Sequence, residues 1–200
     1  NWMHYDCLYK HYNVEPFTEE FWQLFKNYLK NAVAHGVNMI YTPVFTPPLD
    51  TEVGGERPTF QLVEVDRIDV GYRFSFRHFD KFVKVCMECG IRFFEISHFF
   101  TQWGAEHAPK IIANVKGIKR QIFGWNTKAA GKKYMTFLKA YLTAALAFFK
   151  EEGLEDSYWW RYLYTIPVEI ANKKLLDTWM PVMFNKHGTY EGGTLQEEQY

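Results

Sequence analysis

Hydrophobic positions along this chain follow two alternating rhythms. Phe21, Phe25, Tyr28, Leu29, Ala32 and Val33 recur at helical spacing behind Thr18, Glu19 and Glu20. A helix capped by Thr18 is predicted there, with its acidic first turn at the positive end of the helix dipole. Phe79, Phe82, Val83 and Cys86 form a second helical stripe over 78–89, and Tyr134, Phe137, Leu138, Tyr141, Leu142, Ala145, Leu146 and Phe149 a third over 131–152. Each stripe stops at a glycine, Gly36, Gly90 or Gly153. Each glycine then leads into a run of strand character: Val37 to Tyr41, Ile91 to Ile96, and Tyr158 to Thr165. At the start, Trp2 to Leu8 alternates briefly and reads as an opening strand, with His4 and Asp6 on the side of Trp2 and Leu8.

Repeated helix, glycine and strand units imply a parallel sheet, either closed into a barrel or open and doubly wound. Segment lengths favour the barrel, because short glycine turns lie at one end of the strands and long polar or aromatic segments at the other. The prolines at 43, 47 and 48 exclude a continued central strand. Residues 51–76, with GGERPTFQLVEV and GYRFSF, read as an inserted β-hairpin whose polar reach is Arg57 and Gln61. Residues 104–130, carrying Lys110, Arg120, Trp125 and Asn126, read as a long loop. Leu175 to Pro181, LLDTWMP, reads as a further strand, yet only Ile170 to Lys174 separate it from the preceding segment. A parallel crossover needs about a dozen residues. The expected architecture is therefore α/β, a partial or rearranged (β/α)8 barrel with long loops after its strands. It forms one incomplete domain over 1–200 with a divergent segment at 170–200.

Composition narrows the function classes. A chain of 200 residues, 48% hydrophobic, can bury one substantial core. The formal net charge is zero, so no overall electrostatic footprint points to nucleic acid or an anionic membrane. No run of about eighteen apolar residues offers a membrane span, and the opening NWMHYDC has neither a charged leader nor an apolar leader core. Cys86 and Cys89 form a C-x-x-C at the end of a predicted helix with no second pair, which reads as buried thiols, and Cys7 stands alone. No G-x-G-x-x-G or P-loop follows a strand and no metal-ligand spacing stands out, so no cofactor is expected. Aromatic residues make up 19% of the chain, enough for some to line a site as well as fill the core.

The densest chemistry lies in GIRFFEISHFFTQWG, Gly90 to Gly104. Glu95 falls within or at the end of a phenylalanine-rich strand, where a carboxylate must be paired, hydrogen-bonded or in contact with a ligand. Ser97, His98, Thr101, Gln102 and Trp103 follow with donors, acceptors and a flat ring, an inventory suited to a polyol. His4 with Asp6 admits two readings, a structural hydrogen bond or a polar pair at a site.

The runs NMIYTPVFTPPLDTEVGGERPTFQLVEV, FFEISHFFTQWGAEHAPKI and IFGWNT resemble the catalytic region of bacterial glycoside hydrolase family 123, in consistent order over roughly residues 2–154. The resemblance implies a (β/α)8-type barrel that removes terminal β-linked N-acetylhexosamine, typically N-acetylgalactosamine, from glycans, and it is compatible with export. It also implies a substrate-assisted mechanism, in which the sugar's own acetamido oxygen attacks C1 while a carboxyl group protonates the leaving oxygen. On that basis Glu95, His98, Gln102, Trp103, His4, Asp6, Asp50 and Arg57 are candidate sugar contacts, with Trp125 a candidate ring platform. The partner is a glycan or amino sugar. The family's consecutive Asp-Glu pair is missing where it is expected, for the chain reads Leu163, Tyr164, Thr165, Ile166, Pro167, Val168, Glu169. Glu155 and Asp156 are adjacent, but in reverse order and ahead of the strand. Glu169 is the remaining candidate general acid. Two function classes follow: a glycosidase, or a non-catalytic relative that retains a sugar-binding face.

Overall fold

The computed structural model describes residues 3–48, 51–101, 105–154 and 158–159. Within them the chain forms helix α1 (Tyr5–Tyr12), helix α2 (Glu19–Ala34), strand β1 (Met39–Thr42), strands β2 (Glu64–Arg67) and β3 (Tyr72–Ser75), and helix α3 (Arg77–Glu88). Strand β4 (Phe93–Ile96), strands β5 (Ile111–Val115) and β6 (Ile118–Phe123), helix α4 (Lys132–Glu151) and the short strand β7 (Tyr158–Trp159) complete it.

The three long helices stand where periodicity predicts them. Thr18 caps α2 by accepting from the Phe21 N–H at 3.3 Å. Gly90, at φ +105°, makes the turn from α3 into β4. A Cβ there would also approach Val33 Cγ1 to 3.1 Å, so both conformation and packing select glycine.

Two sheets share the core. In the first, β1, β4 and β7 lie side by side in chain order and run parallel. Its flanking residues Ile40 and Phe94 join Phe25 and Leu29 of α2 and Phe82 and Cys86 of α3 in a continuous apolar cluster. Cys86 is therefore a core residue, and burial pushes its thiol pKa well up. In the second sheet, ordered β3-β2-β5-β6, two antiparallel hairpins are joined by a parallel β2–β5 pairing. That pairing begins at Asp66 opposite Asn114. Below it a side chain takes over: Gln61 Nε2 donates to the Ile112 carbonyl at 2.8 Å and Gln61 Oε1 accepts from the Ile112 N–H at 3.0 Å. The Gln61 amide thus gives β5 the two hydrogen bonds a strand backbone would have supplied.

Two expectations are corrected. Residues 104–130 are not one long loop, because they contain the β5–β6 hairpin, turned by Lys116 and Gly117, both at positive φ. The opening segment is a helix rather than a strand. Tyr5, Leu8 and Tyr9 are its buried apolar residues, a spacing of three and four that one helical face satisfies and strand alternation cannot. The predicted 51–76 hairpin is present as β2 and β3. The α/β class holds, and among the described residues neither sheet closes into a barrel. The Leu175 to Pro181 segment and most of Tyr158 to Thr165 lie outside the described residues.

Candidate functional site

The site is organised around Tyr41, near the carboxyl end of β1. Tyr41 is in register with Glu95 of β4, so the two side chains share a face of the parallel sheet, opposite to Ile40 and Phe94. Both are buried. The Thr42 carbonyl accepts from the Ser97 N–H at 2.9 Å, directed at β4, so the alternating Tyr41 carbonyl faces the other edge of β1. Tyr5 of α1 occupies that edge, its hydroxyl donating to the Tyr41 carbonyl at 2.5 Å.

His98 follows β4 by two residues. Its Nδ1 lies 3.0 Å from the Tyr41 hydroxyl, and its backbone N–H donates to the same oxygen at 3.3 Å. Both contacts are satisfied when the Tyr41 O–H donates to Nδ1, which leaves the ring proton on Nε2. Burial lowers the His98 pKa from 6.5 to about 4, so the imidazole is neutral at pH 7 and acts as a hydrogen-bonding group rather than a cation. The loop after β1 is held in place from two directions. Val44 N–H donates to Ser97 Oγ at 3.1 Å, and Leu62 N–H donates to the Pro43 carbonyl at 3.0 Å.

The second group of polar residues is assembled by Arg57. Its Nη2 lies 3.0 Å from Asp6 Oδ1 and 2.6 Å from His4 Nδ1, which must be the acceptor because a guanidinium has only donors. His4 and Asp6 therefore do meet, through an arginine fifty residues away and from the first turn of α1, not by sharing a strand face. The Arg57–Asp6 pair is largely sheltered, each side chain 12% exposed, and so is far less screened than a surface ion pair. His4, Asp6, Arg57, Tyr41 and Pro47 line one small cleft. His98 and Glu95 are not among its lining residues and are tied to it only through Tyr41, by hydrogen bond and by strand register. Trp125 lies in a second cleft, which shares Pro47 and Arg57 with the first.

Of the candidates read from sequence, Glu95, His98, His4, Asp6 and Arg57 are thus gathered around Tyr41, and Trp125 is set apart. Asp50, Gln102, Trp103 and Glu169 lie outside the described residues. Tyr41 itself was not legible as a site residue. The available signal was its place one residue past Ile40, on the opposite face of a strand whose carboxyl end leads into a polar loop. Among the described residues no group of three metal-ligating side chains converges.

The arrangement is that of an α/β protein whose polar groups collect at the carboxyl ends of parallel strands, where loops after strands commonly build enzyme sites. The family model for the catalytic domain of glycoside hydrolase 123 matches residues 2–162, and the chain belongs to that family. Its fold is similar to that of a family 123 glycoside hydrolase from Clostridium perfringens, solved to give the details of glycolipid glycan hydrolysis. The TM-score is 0.61 at 15% sequence identity, covering 79% of this chain and 28% of that one. The chain thus spans under a third of that structure's length. A comparison with curated proteins gave no match.

Proposed function

We propose that the chain is part of a barrel-type glycoside hydrolase that removes a terminal β-linked N-acetylhexosamine from glycans, N-acetylgalactosamine being the first candidate. The observation that carries this reading is the convergence of Glu95, His98 and the Arg57–Asp6–His4 group on Tyr41. It offers carboxylate acceptors, a guanidinium donor, a neutral imidazole and a phenol to the hydroxyl and acetamido groups of one sugar. Sequential parallel strands with a site beyond their carboxyl ends support the barrel assignment.

In the substrate-assisted reaction the acetamido oxygen bonds to C1 as the C1–O bond to the leaving group breaks, and a carboxylic acid gives its proton to the departing oxygen. Glu169 is the proposed donor. The experiment is turnover of 4-nitrophenyl N-acetyl-β-galactosaminide by the wild type and by Glu169→Gln. Release of nitrophenol that disappears in the variant supports the reading.

The sequence Leu163 to Glu169 favours a second reading, because it lacks the family's Asp-Glu pair. In this reading the chain binds the amino sugar without cleaving it, and it predicts saturable binding of N-acetylgalactosamine with no turnover. Absence of both binding and turnover overturns both readings.

A further inference from the structure

Two hairpin turns lie side by side at one end of the four-stranded sheet, because the parallel pairing of β2 with β5 sets Arg67 opposite Val115. The turn after β2 runs through Ile68, Asp69, Val70 and Gly71 and closes with the Ile68 N–H donating to the Gly71 carbonyl at 3.3 Å. The turn after β5 is Lys116 and Gly117, and it brings Ile118 directly opposite Val115. Three large aliphatic side chains stand in water at this end, for Val70 is 89% exposed, Ile118 55% and Ile68 45%. Val115 beside them is only partly buried. Such turns ordinarily take Gly, Asn, Asp or Ser, so the fold gains nothing from a valine left almost wholly in water. A single exposed aliphatic residue is ordinary, but three on adjoining turns make a patch.

Charge is segregated at the same end. Arg67, Lys116, Lys119 and Arg120 are all exposed, and Asp69 is the one acid among residues 67–72 and 115–120. Among the described residues none of these four cations is held in an ion pair, whereas Arg73 nearby is taken up by Asp66 at 3.1 Å. The zero net charge of the chain thus conceals one basic end of a sheet. Lys110 lines the second cleft and directly precedes β5, whose Val115 end lies about 15 Å further on, so the patch is separate from the candidate site. Aliphatic side chains projecting from turns among unpaired cations match a bilayer interface that contains anionic lipid. The side chains enter the acyl boundary while the cations meet the headgroups. A nucleic acid offers no apolar phase to Val70 and Ile68, and a second copy docked on the same patch would set its four cations against these four. We propose that the paired β2–β3 and β5–β6 turns are a docking surface for an anionic phospholipid membrane, with Val70, Ile118 and Ile68 inserted and the four cations on the headgroups. This surface acts independently of whatever the clefts bind.

The test is cosedimentation of the chain with vesicles of phosphatidylcholine alone and of phosphatidylcholine mixed with phosphatidylserine, at low and at high salt. Partition onto the anionic vesicles is expected to exceed that onto the neutral ones about a hundredfold at low salt, and to fall about tenfold or more at high salt. Lys116→Gln combined with Lys119→Gln is expected to weaken it about thirtyfold. Val70→Ser and Ile118→Ser are each expected to weaken it about tenfold, with the melting temperature unchanged because both side chains are exposed. The two serine variants separate insertion from charge attraction: partition that responds to salt and to the lysine pair but to neither serine marks a bare basic patch and overturns the docking surface. Equal partition onto both kinds of vesicle, or onto neither, also overturns it. So does a dimer in sedimentation velocity that Val70→Ser dissolves, which would assign the patch to a second copy of the chain.

Discussion

The two sheets of this protein bury their residues in different ways, and the site depends on that difference. In the parallel sheet, β1 and β4 each bury three consecutive residues, as strands covered on both faces must. In the four-stranded sheet burial alternates along β2 and β5, Val65 inward between exposed or half-exposed neighbours and Ile111 and Ala113 inward around Ile112, while β6 begins with four exposed residues in a row. The first sheet is a rigid frame that holds Tyr41 and Glu95 in register. The second is a half-solvated layer whose adjoining segments bring Arg57 and Trp125 up to that frame. A site assembled from both should lose affinity when the layer is damaged, and lose its fold when the frame is.

The largest expected effect tests the frame directly. Phe94→Ala empties a fully buried position in β4 and should cost about 3–5 kcal/mol. Phe74→Ala on β3, where the ring is only partly buried, should cost about 1–2 kcal/mol. Urea denaturation midpoints of the two variants measure the contrast, and equal losses would mean that the sheets contribute alike.

Acidification probes the same frame. The folded protein holds His98 with its pKa depressed to about 4 from 6.5, so between those values the unfolded chain binds the proton more readily. The contribution is complete above pH 6.5 and drains away as the pH falls toward 4, amounting to up to about 3 kcal/mol. Stability at pH 7 minus stability at pH 4.5 should shrink in His98→Gln relative to wild type. An unchanged difference would show that His98 titrates normally.

In the layer, Gln61→Leu deprives the Ile112 N–H and carbonyl of their partners and should cost about 1–3 kcal/mol. Hydrogen exchange at the Ile112 amide should accelerate, with amides of β1 and β4 unaffected. The smallest effect is a gain. Lys116 and Gly117 both sit at positive φ between β5 and β6, the geometry of a two-residue hairpin turn in which asparagine is preferred at the first position. Lys116→Asn should raise stability by up to about 1 kcal/mol, read as a shift in melting temperature.

The parallel frame was legible because its helices announce themselves. The Phe21 and Phe79 stripes, their glycine ends and the short apolar runs that follow are local signals, and the structure follows them to within a few residues. The layer was half legible. The β2–β3 hairpin shows in GYRFSF, whereas the polar residues of 104–130 mask the β5–β6 hairpin, although IIANVKGIKRQIF alternates around a Lys-Gly turn. The opening segment misleads because Trp2, His4, Asp6 and Leu8 also fit a two-residue period, and the seven residues from Trp2 to Leu8 are too few for period alone to decide. Glu95 and His98 could be picked out because polar residues interrupt a run of phenylalanines. Tyr41 could not, since its importance comes from partners 36 and 57 residues distant, Tyr5 and His98.

Gln61 carries one more implication. Because a carboxamide stands in for main chain beside Ile112, the sheet does not need its neighbouring strand to begin at any fixed point upstream. The stretch between Thr51 and Phe60 is thereby released from ladder register and is held by side chains instead, Arg57 on Asp6 at 3.0 Å and the Trp125 indole on the Gly55 carbonyl at 3.0 Å.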